Sequence, residues 1–381
     1  MAAKSSSGKK MTKSQKKKKK QRKIAILVVE AIVVVILVVA LYLVSKLDYI
    51  HKDEINENEI VTNDTPDEDL LLSEGDITMN DSLGGHMDGY RNIALFGVDA
   101  RNNNLGKGVR SDTIIIASIN EETKEIKLVS VYRDTYLNMG NDKYNKCNGA
   151  YSAGGPRQAI NMLNMNMDLN ITDYVTVGWA AVADTVDALG GIEIEVDEVE
   201  LGHLNNYQVE TSQSLGRDYT KLTQTGLVTL DGIQAVSYCR IRYTAGDDFK
   251  RTERQREVIQ AIADKAKKAD PKKLDQIANA VFPKTATSLK LTEILDLLAD
   301  INSYEIVATD GFPFAEYRTT KTWSASIGDA VLPVDLETNV LELHKFLFGD
   351  VGDYTPSQAV QRYGAIISSD SGVYKEKDSD E

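Results

Sequence analysis

The pattern of apolar and polar positions divides the chain into unlike stretches. From Ile24 to Val44 a run of 21 residues is apolar on every helical face and is broken by one charge, Glu30. At ~1.5 Å per residue such a run is about 31 Å long, enough to cross a hydrocarbon core of ~30 Å. A cleavable signal has an apolar region of only ~7–15 residues, followed by a small-x-small site. Here the run is longer and ends in Leu-Tyr-Leu-Val-Ser-Lys-Leu. The pattern therefore predicts an uncleaved transmembrane helix over residues 24–45. Residues 46–86 show no lasting periodicity and read as an acidic, solvated linker, with twelve acids and one Lys between Asp48 and Asp81.

Beyond Met87 the periods become those of a folded domain. Asn92–Val98, Thr113–Ile119 and Ile126–Tyr132 read as strands, the last two joined by the polar turn Asn-Glu-Glu-Thr-Lys-Glu. Ile114–Ala117 is apolar at consecutive positions, as in a central strand covered on both faces. Pro156 opens a helix running to about Met165. Tyr174–Val177 is a strand, Ala180–Leu189 a helix closed by Gly190-Gly191, and Ile192–Val196 another strand. Asp248–Lys267 is a long helix, with shorter ones at Thr292–Ile301 and Asp335–Phe348. The alternation predicts an α/β fold, a layered α/β/α domain with a central mixed β-sheet, over residues 87–350. Residues 351–381 read as a polar C-terminal tail.

Charge sets the orientation. The chain has 44 Lys+Arg against 57 Asp+Glu, a net charge of −13. Residues 1–23 hold 11 basic groups and no acid, leaving 33 basic against 57 acidic groups, or −24, on the remainder. A lysine-rich head before the span keeps residues 1–23 cytoplasmic and predicts an extracellular domain on a single-pass cell-membrane protein. The acidic remainder excludes a uniformly basic nucleic-acid binder, and no nucleic acid is expected as a partner. Two Cys and four His exclude a Cys/His zinc framework.

Within the domain, arginine is concentrated. Residues 87–260 hold 11 of the 14 Arg but 7 of the 30 Lys. Planar forks in place of point charges suit phosphate or carboxylate recognition. If Ile119 faces Ile126 across the turn, Asp112 faces Arg133, and Arg110 shares the face of Asp112 if that stretch is extended. Asp99 lies just past its own strand. Should that strand end at the same rim, two carboxylates and two guanidiniums converge; the alternative is a set of surface salt bridges. On the long helix the stripe Val258, Ile259, Ile262, Ala266 places Arg251 and Gln255 on the inward face and Arg256 outward. An inward Arg251 needs an anion, either a ligand or an internal carboxylate such as Asp248. Two Asp among several Arg in an exported domain suggest a Mg²⁺-assisted site for a diphosphate.

The series Asn92-Ile93-Ala94-Leu95-Phe96-Gly97-Val98-Asp99, Arg110-Ser111-Asp112-Thr113 and Ser130-Val131-Tyr132-Arg133-Asp134 resembles the LytR–CpsA–Psr family. So do Lys146-Cys147-Asn148-Gly149-Ala150-Tyr151, Val186-Asp187-Ala188-Leu189-Gly190-Gly191, Tyr238-Cys239-Arg240-Ile241-Arg242 and Asp248-Phe249-Lys250-Arg251-Thr252-Glu253-Arg254-Gln255. The match runs in order over core motifs 90–262, departing at Cys147 and Cys239. The resemblance implies a cell-envelope phosphotransferase that moves a glycopolymer (teichoic acid, capsule or similar) from a polyprenyl-diphosphate carrier to a peptidoglycan acceptor. It implies that Asp99 and Asp112 hold Mg²⁺, that Arg110, Arg133, Arg240, Arg242, Arg251 and Gln255 grip the diphosphate, and that a tunnel holds the lipid. Asp99, Asp112, Arg110 and Arg133 are the expected catalytic group, with an Asp of the metal site as general base.

Other classes compete. A transcriptional attenuator would rest on the lysine head, but no helix-turn-helix stands out. A non-catalytic polyprenyl-phosphate receptor would share the arginines without needing both Asp99 and Asp112. A nucleotide-dependent enzyme lacks its motif, since neither G-x-x-x-x-G-K-[ST] nor G-x-G-x-x-G occurs. Cys147 and Cys239 flank expected ligand-binding residues, and either a disulfide or two buried thiols fits the sequence.

Overall fold

The computed structural model describes residues 60–63, 85–99, 105–242, 247–323 and 326–375, all within the compact unit Ile50–Glu381. The expected basic head, the expected transmembrane helix at 24–45 and most of the expected linker lie outside the described residues. Among the described residues no helix is long and apolar enough to cross a membrane.

The strands are β1 (Tyr90–Val98), β2 (Ser111–Asn120), β3 (Glu125–Val131), β4 (Tyr136–Asn138), β5 (Tyr144–Lys146), β6 (Asp173–Gly178), β7 (Ile192–Val196), β8 (Gly226–Leu230), β9 (Thr285–Thr287), β10 (Glu305–Phe312), β11 (Arg318–Thr322) and β12 (Asp329–Pro333). The helices are α1 (Asn148–Met167), α2 (Trp179–Leu189), α3 (Glu198–Leu215), α4 (Gly232–Arg240), α5 (Asp247–Ala266), α6 (Pro271–Val281), α7 (Leu291–Ala299), α8 (Leu336–Phe348) and α9 (Gln358–Ser371).

A six-stranded sheet in the order β10-β3-β2-β1-β6-β9 forms the centre. It is mixed: β10/β3 and β1/β6 are parallel, whereas β3/β2, β2/β1 and β6/β9 are antiparallel. Alternation of side chains sends Ala94, Phe96, Ile114, Ile116, Val129 and Val131 into the main core with α1, α8 and α9. The intervening Ile115, Ala117 and Leu128 pack on the other face, where Ile259 of α5 meets them. Both faces are covered, which is why β2 reads as a continuous apolar run.

Ile119 does pair with Ile126. The helix expected from Pro156 begins earlier, at Asn148, and is broken at Gly154 and Gly155, so that Pro156 starts its second segment. The expected tail contains α9, whose Val360, Tyr363 and Ile367 are buried in the core. Its single apolar stripe among Ser, Gln and Asp escaped the compositional reading.

One buried polar cluster closes this core. His344 is fully buried; its Nε2 lies 2.8 Å from the Met167 carbonyl and its Nδ1 2.7 Å from His86 Nε2. A carbonyl only accepts, so Nε2 carries the proton and His86 donates to Nδ1. Burial, partly offset by the Met167 bond, lowers the His344 pKa to about 3. The folded state thus keeps the ring neutral while an unfolded His takes a proton below ~6.5. Stability tied to His344 is complete above that value and is lost as pH falls toward about 3. In urea titrations the wild type should therefore lose stability relative to His344→Phe as pH falls from about 6.5 toward about 3; a difference that does not change with pH would show that the imidazole does not titrate on unfolding.

Candidate active site

The site forms where the C-terminal end of β1 meets the start of β2. Gly97 pairs with Thr113 but Val98 pairs with Ser111, so Asp112 is the extra residue of a β-bulge. A bulge re-aims a side chain at a sheet rim. Gly97 permits it, because a Cβ there would stand 2.8 Å from Thr113 Cβ. Asp112 and the exposed Asp99 both line one cavity of about 620 Å³. Arg133, Arg240, Arg242, Arg251 and Gln255 share it. Arg110 does not: it is exposed, just before β2.

Arg133 Nη1 donates to Asp112 Oδ1 at 2.5 Å, the pairing expected from the hairpin. Arg133 Nε lies 3.5 Å from both Asp134 and Asp248. Arg251 forks onto Asp248, with Nη1 to Oδ1 at 3.0 Å and Nη2 to Oδ2 at 3.2 Å, and also reaches the Asp112 carbonyl at 3.2 Å. Arg242 Nη2 approaches the same carboxylate at 4.0 Å. Asp248 is thus the internal anion for three guanidiniums. Burial works to depress the Arg133 pKa, but Asp248, Asp112 and Asp134 outweigh it and hold it above the ordinary value. At Arg251 burial wins and the shift is downward. Both stay cationic at neutral pH.

Arg251 Nε and Gln255 Oε1 are buried without a hydrogen-bond partner, although Gln255 Nε2 donates to the Cys239 carbonyl at 3.4 Å. Both residues line the cavity, and buried polar atoms left unpaired are costly unless a ligand or water meets them. Arg240 is held by Thr211 and Glu210, each at 3.0 Å.

The wall opposite was not expected. His203, Asn206, Tyr207 and Glu210 recur at i, i+3, i+4 and i+7 on α3 and line the cavity with Trp179. A signal for α3 was present: Asp197 and Glu200 form a capping box, each side chain bonding the other's backbone N–H. Arg256 also departs from expectation. It is buried, not outward, with Nε and Nη1 unpartnered. Helix α5 is covered on two faces, one by α4 and the cavity, the other by β3 and β10, whereas the stripe reading assumed one. Cys147 and Cys239 are free and buried; burial raises both thiols, Cys239 to about 12.

Two carboxylates beside clustered guanidiniums fit a Mg²⁺ ion, which takes one or two protein carboxylates and completes its octahedron with water and phosphate oxygens. Among the described residues no cluster of three or more His, Cys, Asp or Glu forms an all-protein cage.

The fold and site define a class: a mixed α/β domain whose sheet rim carries an arginine-lined, acid-edged cavity. The chain belongs to the LytR_cpsA_psr family, which matches residues 44–329. It is 33% identical over 214 residues to the Enterococcus faecalis polyisoprenyl-teichoic acid–peptidoglycan teichoic acid transferase TagU, covering 55% of this chain and 65% of that protein. Thus the chain spans a little under two thirds of that relative. The crystal structure of Bacillus subtilis TagV superposes with a TM-score of 0.53 at 26% identity, covering 70% of this chain and 98% of that one. A structure of TagT bound to LI-WTA shares the fold with a TM-score of 0.52 at 20% identity, covering 84% of this chain and all of that one.

Arg251→Ala should weaken binding of inorganic pyrophosphate by roughly 10–150-fold, the worth of a lost charge-assisted bond. Arg217→Ala serves as control, since Arg217 pairs with Asp184 and Asp187 away from the cavity lining. Equal losses in calorimetry would show that the cavity does not select the anion.

Proposed function

We propose that the protein is a membrane-anchored phosphotransferase that moves a glycopolymer from a polyprenyl-diphosphate carrier to peptidoglycan, assisted by Mg²⁺. One observation carries this reading: Asp99 and Asp112 share a single cavity with Arg133, Arg240, Arg242, Arg251 and Gln255. The charged groups of the lining are four guanidiniums and three carboxylates, the third being Glu210. That near-balance is poor for a bare diphosphate diester of charge about −2, and a divalent cation on Asp99 and Asp112 restores attraction. The teichoic acid transferase name of the Enterococcus relative supports the reaction class.

In this reading Mg²⁺, when bound, neutralises phosphate charge and orients the diphosphate. The chain's own groups do the rest. Arg251, held in plane by Asp248, and Arg133, held by Asp112, present fixed N–H donors to the phosphate oxygens, so no reorganisation is needed as charge shifts to the leaving oxygen. Gln255 Oε1, unpartnered, accepts from a bound hydroxyl or water. The acceptor hydroxyl attacks the glycopolymer-bearing phosphorus in line, its proton passing to Asp99 or Asp112 as the new P–O bond forms and the bond to the bridging oxygen breaks, so that polyprenyl phosphate leaves. Arg110, exposed at the rim, contributes long-range attraction for the anionic donor.

Asp112→Asn or Asp99→Asn should largely abolish Mg²⁺-dependent transfer in a purified system with lipid-linked donor and peptidoglycan acceptor. Binding of the lipid diphosphate through the arginines should survive better. A wild-type protein that releases no polyprenyl phosphate from a range of donors would favour a receptor; transfer unaffected by either substitution would remove the metal assignment. The anchoring and orientation rest on the 24–45 run and the lysine head. Protease added to intact protoplasts should then digest the domain, and full protection would reverse the topology.

A further inference from the structure

The cavity is backed by a hairpin that comes from far along the chain. Strands β11 and β12 form a separate two-stranded sheet, and Arg318 opens β11. Its guanidinium stacks 3.9 Å from the Phe249 ring centroid and 4.8 Å from that of Tyr132. Arg318 Nη1 also donates to the Tyr132 hydroxyl at 2.8 Å and to the Pro313 carbonyl at 3.1 Å. The two rings meet edge to face, with centroids 4.6 Å apart. The phenol lies so close over Gly311 of β10 that a Cβ there would collide with its hydroxyl. The placement of Tyr132 is therefore tightly bounded.

Each of these two rings is next in sequence to a charged residue of the site. Tyr132 directly precedes Arg133, and Phe249 directly follows Asp248. Arg133, which lines the cavity, and Asp248, which anchors it from behind, meet 3.5 Å apart. One guanidinium outside the cavity lining thus grips the residue beside each partner. The other hairpin strand grips the same segment: Val331 N donates to the Asp134 carbonyl at 2.9 Å, and Thr135 bridges Val331. Phe249 sits in the first turn of α5, where backbone N–H groups lack intrahelical partners and the chain frays most readily. Stacking of a planar cation on its ring supplies a fixed contact at that weak point.

We propose that Arg318 is a positioning residue for the anion site: through Tyr132 and Phe249 it sets the distance between Arg133 and Asp248, and so the aim of Arg133 and Arg251. Its effect on turnover rests on the phosphotransferase reading above; its effect on anion affinity does not. The test uses the full chain in detergent, with inorganic pyrophosphate affinity by calorimetry, transfer kcat and KM, and the thermal midpoint measured together. Arg318→Ala should weaken pyrophosphate binding and lower kcat, each by about tenfold, the scale of loss that a small misplacement brings, with little change in the midpoint. Arg318→Lys, which keeps the cation and a donor for Tyr132, should recover part of both. Combining Arg318→Ala with Phe249→Leu should cost no more than the larger single loss, because both remove one contact. Unchanged affinity in Arg318→Ala, or fully additive losses, would overturn the proposal. Should Arg318→Ala not fold, Arg318→Lys and Phe249→Leu carry the same comparison, and wild-type affinity in both would overturn it. A wild type that binds pyrophosphate but transfers nothing would sink the function reading and leave the affinity arm standing.

Discussion

The Asp248 carboxylate is the contact on which the arrangement of the site depends. Arg133 at 3.5 Å, Arg251 at 3.0 Å and Arg242 at 4.0 Å all converge on it. Guanidiniums this close repel one another, and burial strips them of the water that would screen the repulsion. A single shared carboxylate offsets both costs and fixes each fork in direction. With Asp248 in this internal role, the acids that line the cavity are Asp112, paired with Arg133, Glu210, paired with Arg240, and the exposed Asp99. Local devices then serve this arrangement: the bulge that re-aims Asp112, the first turn of α5 that supplies Asp248, and the C-terminal hairpin behind Tyr132 and Phe249.

Helix α5 shows how one element serves two purposes. Arg251, Gln255 and Val258 face the cavity and the smaller core, whereas Ile259 packs on the sheet. Arg254, buried, donates to Glu200 of α3 at 2.8 Å. Tyr238 of α4 donates to Glu257 at 2.6 Å. These polar ties hold α3, α4 and α5 as one block, so the wall carrying His203, Asn206 and Tyr207 is rigidly related to the arginines. The same three helices also share an apolar cluster that includes Leu204, Ala235 and Val258.

Much of this was legible in the order of residues. Short periods depend on near neighbours, so β1, β2, β3, α2, β7 and the Ile119–Ile126 register followed from local pattern alone. The Asp112–Arg133 pair followed too, because a hairpin converts sequence distance into register. Inward placement of Arg251 and Gln255 came from helical phase. The same phase misplaced Arg256, since one stripe cannot report a second buried face that strands β3 and β10 create.

What the sequence by itself determined is therefore the family, the mixed α/β layering and the identity of the charged groups at the β1–β2 rim. Tertiary structure alone decided that Arg110 stays outside the cavity, that Asp248 gathers three guanidiniums, that α9 belongs to the core, and that the two cysteines are free and buried. It also decided that Arg318 stands behind Tyr132 and Phe249. The division has one physical cause. Dihedral preference and side-chain period act over a few residues, whereas these contacts join segments far apart in the chain, whose meeting is set by how the layers pack.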